Sequence, residues 1–202
     1  MESIDIEQLA EVIVQQLFVP IEASGRHVHV THAQAQALFG HPLTPSRPLS
    51  QPGQFLAQER VKIIGPKGSF DNVAVLGPER KEAQVEISLT DGKTLGIQPP
   101  IRPSGDTSGS RGATLVGPAG QVTLEKGVMA AQRHIHLCPE EGRRFGVSDK
   151  QIVSLQVFGD RPLIFQDVLV RIHPQYRAAA HLDYDEANAC SLGKGSFGRI
   201  IP

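Results

Sequence analysis

Four of the chain's eight histidines fall in two pentapeptides, Arg26-His27-Val28-His29-Val30 and Arg133-His134-Ile135-His136-Leu137. In each, a β-branched residue separates the histidines. That favours an extended backbone, whose period of two puts both imidazoles on one face. Neighbouring imidazoles can hold a divalent metal, with zinc the default ion for nitrogen donors. One such pair is commonly a polar patch on a half-exposed strand. Two copies point to metal, because the residues after each copy repeat as well. Thr31 leads a short run closed by Phe39-Gly40, and Cys138-Pro139 leads one closed by Phe145-Gly146. Each copy therefore predicts a histidine strand, a capped helical turn or two, and a glycine stop.

Four nitrogens do not complete two catalytic metal sites, since each takes three protein ligands and keeps one position open. His181 is the best remaining nitrogen, and Glu86 the best carboxylate on an expected strand. Glu86 lies between Val85 and Ile87 and shares a face with neither. With those two in the core it points to solvent or a cleft, and by default it is a surface residue. His32 and His41, on the first helical run and its exit, are also expected at the surface. An open metal position near an arginine suits a phosphate or a polarised carbonyl oxygen. No Gly-x-Ser-x-Gly elbow occurs, and neither Cys138 nor Cys190 has an obvious paired base. Cys138 matches Thr31 in position and is expected to be a helix cap, so covalent nucleophilic catalysis is the weaker idea.

The elements that must position these groups are short. Glycine and proline are abundant, at 20 and 15, which favours strands and turns over long helices. Val61-Lys62-Ile63-Ile64, a turn at Gly65–Gly68 and Phe70 to Val75 form one hairpin signature, and Ile152 to Phe158, Gly159-Asp160 and Phe165 to Val170 repeat it. Thr31 and Gln34 make a capping box for the helix ending at Gly40. The proline-rich stretch from Pro42 to Pro52 is expected to be a surface loop. The glycine- and serine-rich stretch Ser104–Gly112 could wrap a phosphate but fits a flexible connector better. Thr114 to Val116 and Val122 to Leu124 make a further hairpin, and Asp183 and Glu186 have capping-box spacing for a short helix. Gly193-Lys194-Gly195-Ser196-Phe197-Gly198 matches a dinucleotide fingerprint, but only four residues come after it and no helix can receive a pyrophosphate. One long amphipathic helix is expected over 3–18, with Ile6, Leu9, Ala10, Ile13 and Leu17 on its apolar stripe and Pro20 ending it. It is either a docked structural helix or a detachable tag for another protein.

Net charge is −1 with no basic stripe and no Trp, so no nucleic-acid partner is expected. The apolar runs are too short to span a bilayer and no secretory leader opens the chain, so no membrane association is expected. Two cysteines are too few for a disulfide framework, which fits a reducing compartment. At 202 residues the duplicated motif argues for two related β-rich units.

Arg-His-Val-His, Arg-His-Ile-His, Gln84-Val85-Glu86-Ile87-Ser88 and His181-Leu182-Asp183-x-Asp185-Glu186-Ala187-Asn188 together resemble the PduL-type phosphotransacylases, the phosphate propanoyltransferases of bacterial microcompartments. The resemblance runs from about Pro20 to the C-terminus. It implies a mainly β fold of two packed, pseudo-duplicated β-barrels with short helices: residues 20–25 plus 132–202 in one and 26–131 in the other, after an N-terminal helix over 1–19. It further implies two zinc ions at the junction of the barrels, one on His27, His29 and Glu86, the other on His134, His136 and His181. Arg80 matches the family's catalytic arginine, and Ser24, Arg47, Leu76, His181 and Asn188 fall where the family contacts coenzyme A. Ala74 stands where a basic residue is expected to touch a coenzyme A phosphate. The implied reaction converts acyl-CoA (propionyl or acetyl) and phosphate to acyl phosphate and coenzyme A by direct transfer. The N-terminal helix resembles an encapsulation peptide, which implies shell or cargo proteins as partners and a microcompartment lumen as location, otherwise the cytoplasm. A homo-oligomer, a dimer by preference, is expected. The rival expectations are a zinc-dependent acyl-CoA or phosphoester hydrolase and a non-catalytic β-barrel with closed zinc coordination.

Overall fold

The computed structural model describes residues 12–14 and 16–202. The helix expected over 3–18 lies outside them except at 12–14 and 16–17, which are helical. In chain order the elements are β1 (Val19–Ser24), β2 (His27–His29), α1 (His32–Phe39), β3 (Pro45–Pro48), β4 (Phe55–Ile64), β5 (Ser69–Gly77), β6 (Gln84–Glu86), α2 (Leu89–Leu95), β7 (Ile101–Arg102) and β8 (Thr114–Val116). Next come β9 (Gln121–Thr123), β10 (Val128–Ala131), β11 (His134–Leu137), α3 (Pro139–Phe145), β12 (Ile152–Val157), β13 (Leu163–Ile172), β14 (Ala179–Asp183), α4 (Tyr184–Ala189) and β15 (Phe197–Ile201). The fold is mainly β, as expected. None of these helices is long and apolar enough to cross a membrane.

The chain divides into two compact units. The first takes the described residues up to Ala23, Arg133–Leu182 and Glu186–Pro202; the second takes Ser24–Gln132 and Asp183–Asp185. The first unit is a closed barrel in the order β1-β14-β11-β13-β12-β15. Closure places β1 on β15 with Val19 opposite Gly198, where a Cβ would meet Gln156 O at 2.8 Å, so only glycine fits. Ile135, Leu137, Leu155, Val170 and Leu182 fill its core. Burying each of these side chains contributes roughly 1.5–3 kcal/mol.

The second unit is a nine-stranded mixed sheet, β7-β10-β6-β2-β5-β4-β8-β9, with β3 on β4. Val28, Leu38, Ile63, Val75, Val85, Leu95 and Leu115 make up much of its core. The duplication expected from the histidine motifs is carried by connectivity. After β2 come α1 and the β4/β5 hairpin, and β5 returns parallel to β2. After β11 come α3 and the β12/β13 hairpin, and β13 returns parallel to β11. A parallel return needs a crossover, and the capped helix provides it.

The capping residues account for where the helices begin and end. Thr31 Oγ1 accepts from Gln34 N while Gln34 Oε1 accepts from Thr31 N, and Gly40 stops α1 at φ 79°. In α3, Cys138 N donates to Glu141 Oε2 at 2.7 Å, and Gly146 stops the helix at φ 68°. The positive φ at both stops is why glycine stands there. The proline-rich stretch is not wholly a loop: Pro45–Pro48 forms an exposed strand against β4. Proline lacks the donor N–H for a central strand but is tolerated at a sheet edge.

Candidate metal centres and their surroundings

β6 lies inside the second unit's sheet, between β10 and β2. Its antiparallel register with β2 sets His27 opposite Glu86 and His29 opposite Gln84. Laterally paired residues share a face, so all four side chains form one polar patch. One ligand atom each from His27, His29 and Glu86 lies within 4.8 Å of the others. Glu86 is only 7% exposed, which corrects the expectation of a surface carboxylate. The reason is the strand's interior place, where a side chain off the apolar face is still covered.

The imidazoles are oriented from behind. His27 Nδ1 lies 2.8 Å from Gly25 O and His29 Nδ1 3.1 Å from Leu76 O. Carbonyls only accept, so each Nδ1 carries a proton and each Nε2 is turned toward Glu86. His27 Nε2 is 3.6 Å from Glu86 Oε2. Burial would raise the Glu86 carboxyl, but the charges of His27 and His29 and the Ser104 hydroxyl outweigh it and hold the group well below the usual carboxylate range. Burial likewise pulls His27 down, yet Glu86 and the Gly25 carbonyl leave it raised. Burial, then the charges of His27 and Arg80, push His29 well down.

Arg80 is half-buried, donates its backbone N–H to Val30 O at 2.9 Å, and its charge opposes protonation of both His27 and His29. Other expected site residues lie in the same unit. Leu76 provides the carbonyl behind His29, and Ala74 is the lateral neighbour of His27 on β5. Arg47 pairs with Leu56, which pairs with Leu76, so these three form a row across β3, β4 and β5. Arg47 is exposed, and Ser24, at the end of β1, is half-buried. Ser104 does not sit in a free connector: its Oγ donates to Glu86 Oε1 at 2.7 Å.

The first unit carries the second triad. Register sets His134 on β11 opposite His181 on β14. The rings of His134, His136 and His181 form a closed triangle, with centroid separations of 4.7, 5.1 and 5.0 Å. Their ligand atoms lie within 4.8 Å of one another. His136 Nδ1 is buried with no hydrogen-bond partner among the described residues, which costs about 1–3 kcal/mol unless an ion takes the lone pair. Burial, then the charges of His134, His181 and Arg171, push His136 down to about 2, so it is neutral, the form that ligates metal. Glu22 Oε2 stands 3.9 Å from His181 Nδ1. Asn188 is exposed on α4.

A His₂Glu set and a His₃ set are both known catalytic zinc donor sets, so the residues fit two such ions. The sequence reading missed Gln84, Arg171 and Tyr176 as neighbours of these triads. Gln84 had a signal, since it stands two residues before Glu86 and therefore shares its face. Arg171 pairs with His136 only through strand register, and Tyr176 reaches the same ring at 4.3 Å from a turn. No local pattern announces either.

A family model for phosphate propanoyltransferase matches residues 20–193. The phosphate propanoyltransferase of Clostridioides difficile is 49% identical over 198 residues, covering 97% of this chain and 95% of that protein. That of Enterococcus faecalis is 52% identical over 189 residues, covering 93% and 90%. That of Thermotoga maritima is 45% identical over 199 residues, covering 97% and 95%. With a family model spanning most of its length and relatives this similar end to end, the chain belongs to the phosphate propanoyltransferase family and is a phosphate acyltransferase.

Proposed function

We propose that the enzyme interconverts acyl-CoA plus phosphate with acyl phosphate plus coenzyme A, with a short acyl group such as propionyl or acetyl, at a site built on two zinc ions. The observation that carries the reading is the buried His27–His29–Glu86 triad with the Arg80 charge bearing on it. His27, His29 and Glu86 would hold one zinc ion, and His134, His136 and His181 the other. When bound, zinc lowers the pKa of a coordinated phosphate or thiol and polarises an acyl oxygen.

In the forward direction a phosphate oxygen attacks the thioester carbon, the carbon–oxygen bond forms, and the carbon–sulfur bond breaks to release the coenzyme A thiolate. Negative charge builds on the carbonyl oxygen in between, and Arg80 offsets it. The Gly25 and Leu76 carbonyls keep His27 and His29 in the tautomer that turns Nε2 inward. Ser24, Arg47 and Leu76 contact coenzyme A. By the same resemblance His181 and Asn188 do so too. Ala74 offers no charge to a coenzyme A phosphate, so Arg47 carries more of that role. The working form is a homodimer located in a microcompartment lumen, held there by the N-terminal helix. The exposure of Val12, Ile13, Val14 and Leu17 supports a partner-binding tag.

The test is coenzyme A release from propionyl-CoA with and without phosphate. Release that requires phosphate and yields propionyl phosphate bears the reading out. Release without phosphate makes the enzyme a hydrolase instead.

A further inference from the structure

Among the described residues, the hydrogen bonds to Glu86 that are shorter than 3 Å all fall on one of its oxygens. Its Oε1 accepts from Ser104 Oγ at 2.7 Å and from Gln84 Nε2 at 2.5 Å. Those two donors fill both lone pairs of Oε1. Oε2 lies 3.6 Å from His27 Nε2, while the doubly hydrogen-bonded Oε1 stands farther from the histidines, 4.0 Å from His29 Nε2. Gln84 is itself held at both ends of its amide: its Nε2 also donates to Ser104 Oγ at 3.1 Å, and its Oε1 accepts from Gly105 N at 2.9 Å. That last bond decides which way the amide points. A flipped Gln84 would set its oxygen against the carboxylate and its NH₂ against the Gly105 N–H, two repulsive contacts in place of two bonds. Gly105 adopts φ 103°, open to glycine and strained for other residues, and this presents its N–H to Gln84. Gln84 is 2% exposed, so its amide depends on these partners.

We infer that Gln84 and Ser104, latched by the Gly105 N–H, are positioning residues that make Glu86 a one-oxygen ligand through Oε2. This keeps a coordination position open at the His27–His29–Glu86 site. A carboxylate with both oxygens free can swing to bind through both, which raises the coordination number and fills the position a reactant needs. Ser104 and Gly105 thus act as a strut behind that carboxylate. A glutamine suits position 84 because a carboxylate there would repel Glu86, while an apolar residue would leave Oε1 half satisfied. The inference rests on the metal reading proposed above and concerns only what shapes one of its ligands.

The experiment compares the zinc-loaded wild type with Ser104→Ala and Gln84→Ala. Zinc affinity is read by chelator competition, and coordination number by the visible absorption of the cobalt(II)-substituted proteins. Each variant is expected to weaken one zinc per chain by roughly 10- to 100-fold and leave the other unchanged. The cobalt bands of the affected site are expected to lose intensity as it moves from four- to five-coordinate. A merely structural role would lower the unfolding temperature without changing those bands. Unchanged affinity and spectrum in Ser104→Ala, which removes only a hydroxyl, overturns the inference while leaving the metal reading intact. A wild type that retains no zinc, or keeps its full complement after His27→Ala, overturns the metal reading and this inference with it.

Discussion

Arg26 and Asp91 form a two-pronged ion pair, with Nη2 2.6 Å from Oδ1 and Nε 3.1 Å from Oδ2. The Arg26 guanidinium also lies 4.1 Å from the Phe70 ring centroid. Asp91 is buried in the first turn of α2, where Ser88 Oγ accepts its backbone N–H. One carboxylate therefore fixes the start of a histidine strand and the start of a helix. The other repeat has a counterpart in Arg133, which reaches Glu186 on α4 at 2.6 Å and stands over Phe165. Asp91→Ala should lower the unfolding free energy by about 2 kcal/mol, since a charge-assisted pair and a cap are lost together. Urea titration at neutral pH measures this. Asp91→Asn keeps part of the cap and should cost less; equal stability of all three proteins would show the pair to be idle.

Arg80→Ala should fold, keep its metal and lose activity by roughly two to three orders of magnitude, the usual cost of removing one transition-state charge partner. The backbone bond from Arg80 N to Val30 O does not depend on the side chain and survives the change. Turnover of propionyl-CoA with phosphate, set beside zinc content and circular dichroism, checks all three parts. Wild-type turnover in this variant would take Arg80 out of the mechanism.

Metal removal and acid should act on the same groups. With the metal stripped, His136 stays neutral down to about pH 2, whereas in the unfolded chain it takes a proton near 6.5. The unfolded state then binds more protons across that window, so stability falls as pH drops below about 6.5. His29, also lowered, adds to this. Glu86 contributes above its unfolded value of 4.5 and loses that contribution as pH falls through its depressed folded value. His27 runs the other way: its raised pKa contributes stability below 6.5 that fades as pH rises through the folded value. With two imidazoles against one, the unfolding temperature of the metal-free protein should decline from about pH 7 to about pH 5. Restoring zinc to about a hundred times its dissociation constant at neutral pH should add about 2.7 kcal/mol per site. Thermal melts with and without chelator read both effects.

Removing residues 1–16 should leave catalysis intact and, on the tag reading proposed above, abolish co-assembly with shell or cargo proteins. The cut has to stop before Phe18, whose ring lies 5.5 Å from Phe158 and 5.1 Å from Phe197, and before Val19, which is fully buried in β1. A deletion of residues 1–16 that turns over normally but no longer co-purifies with shell assemblies is the expected outcome. Loss of folding in that deletion would make the helix a docked part of the barrel.

The sequence by itself determined what is local. Period-two alternation placed His27 and His29, and His134 and His136, on single faces, and Thr31 with Gln34 and the glycines at 40 and 146 set the ends of two helices. Those signals survive in isolation because each depends on residues a few positions apart. Motif order was enough to suggest the family, and with it the six side chains that gather into two candidate metal sites. What only the tertiary structure decided is lateral: that Glu86 stands opposite His27 and Gln84 opposite His29, that Arg171 pairs with His136, and that Asp91 takes Arg26. Strand register is set by how whole hydrophobic faces pack, and a slip of one residue would move Glu86 to the other face, so no window of sequence contains it. The same cause turned an expected surface carboxylate into a buried one, and an expected connector at Ser104 into its hydrogen-bond partner.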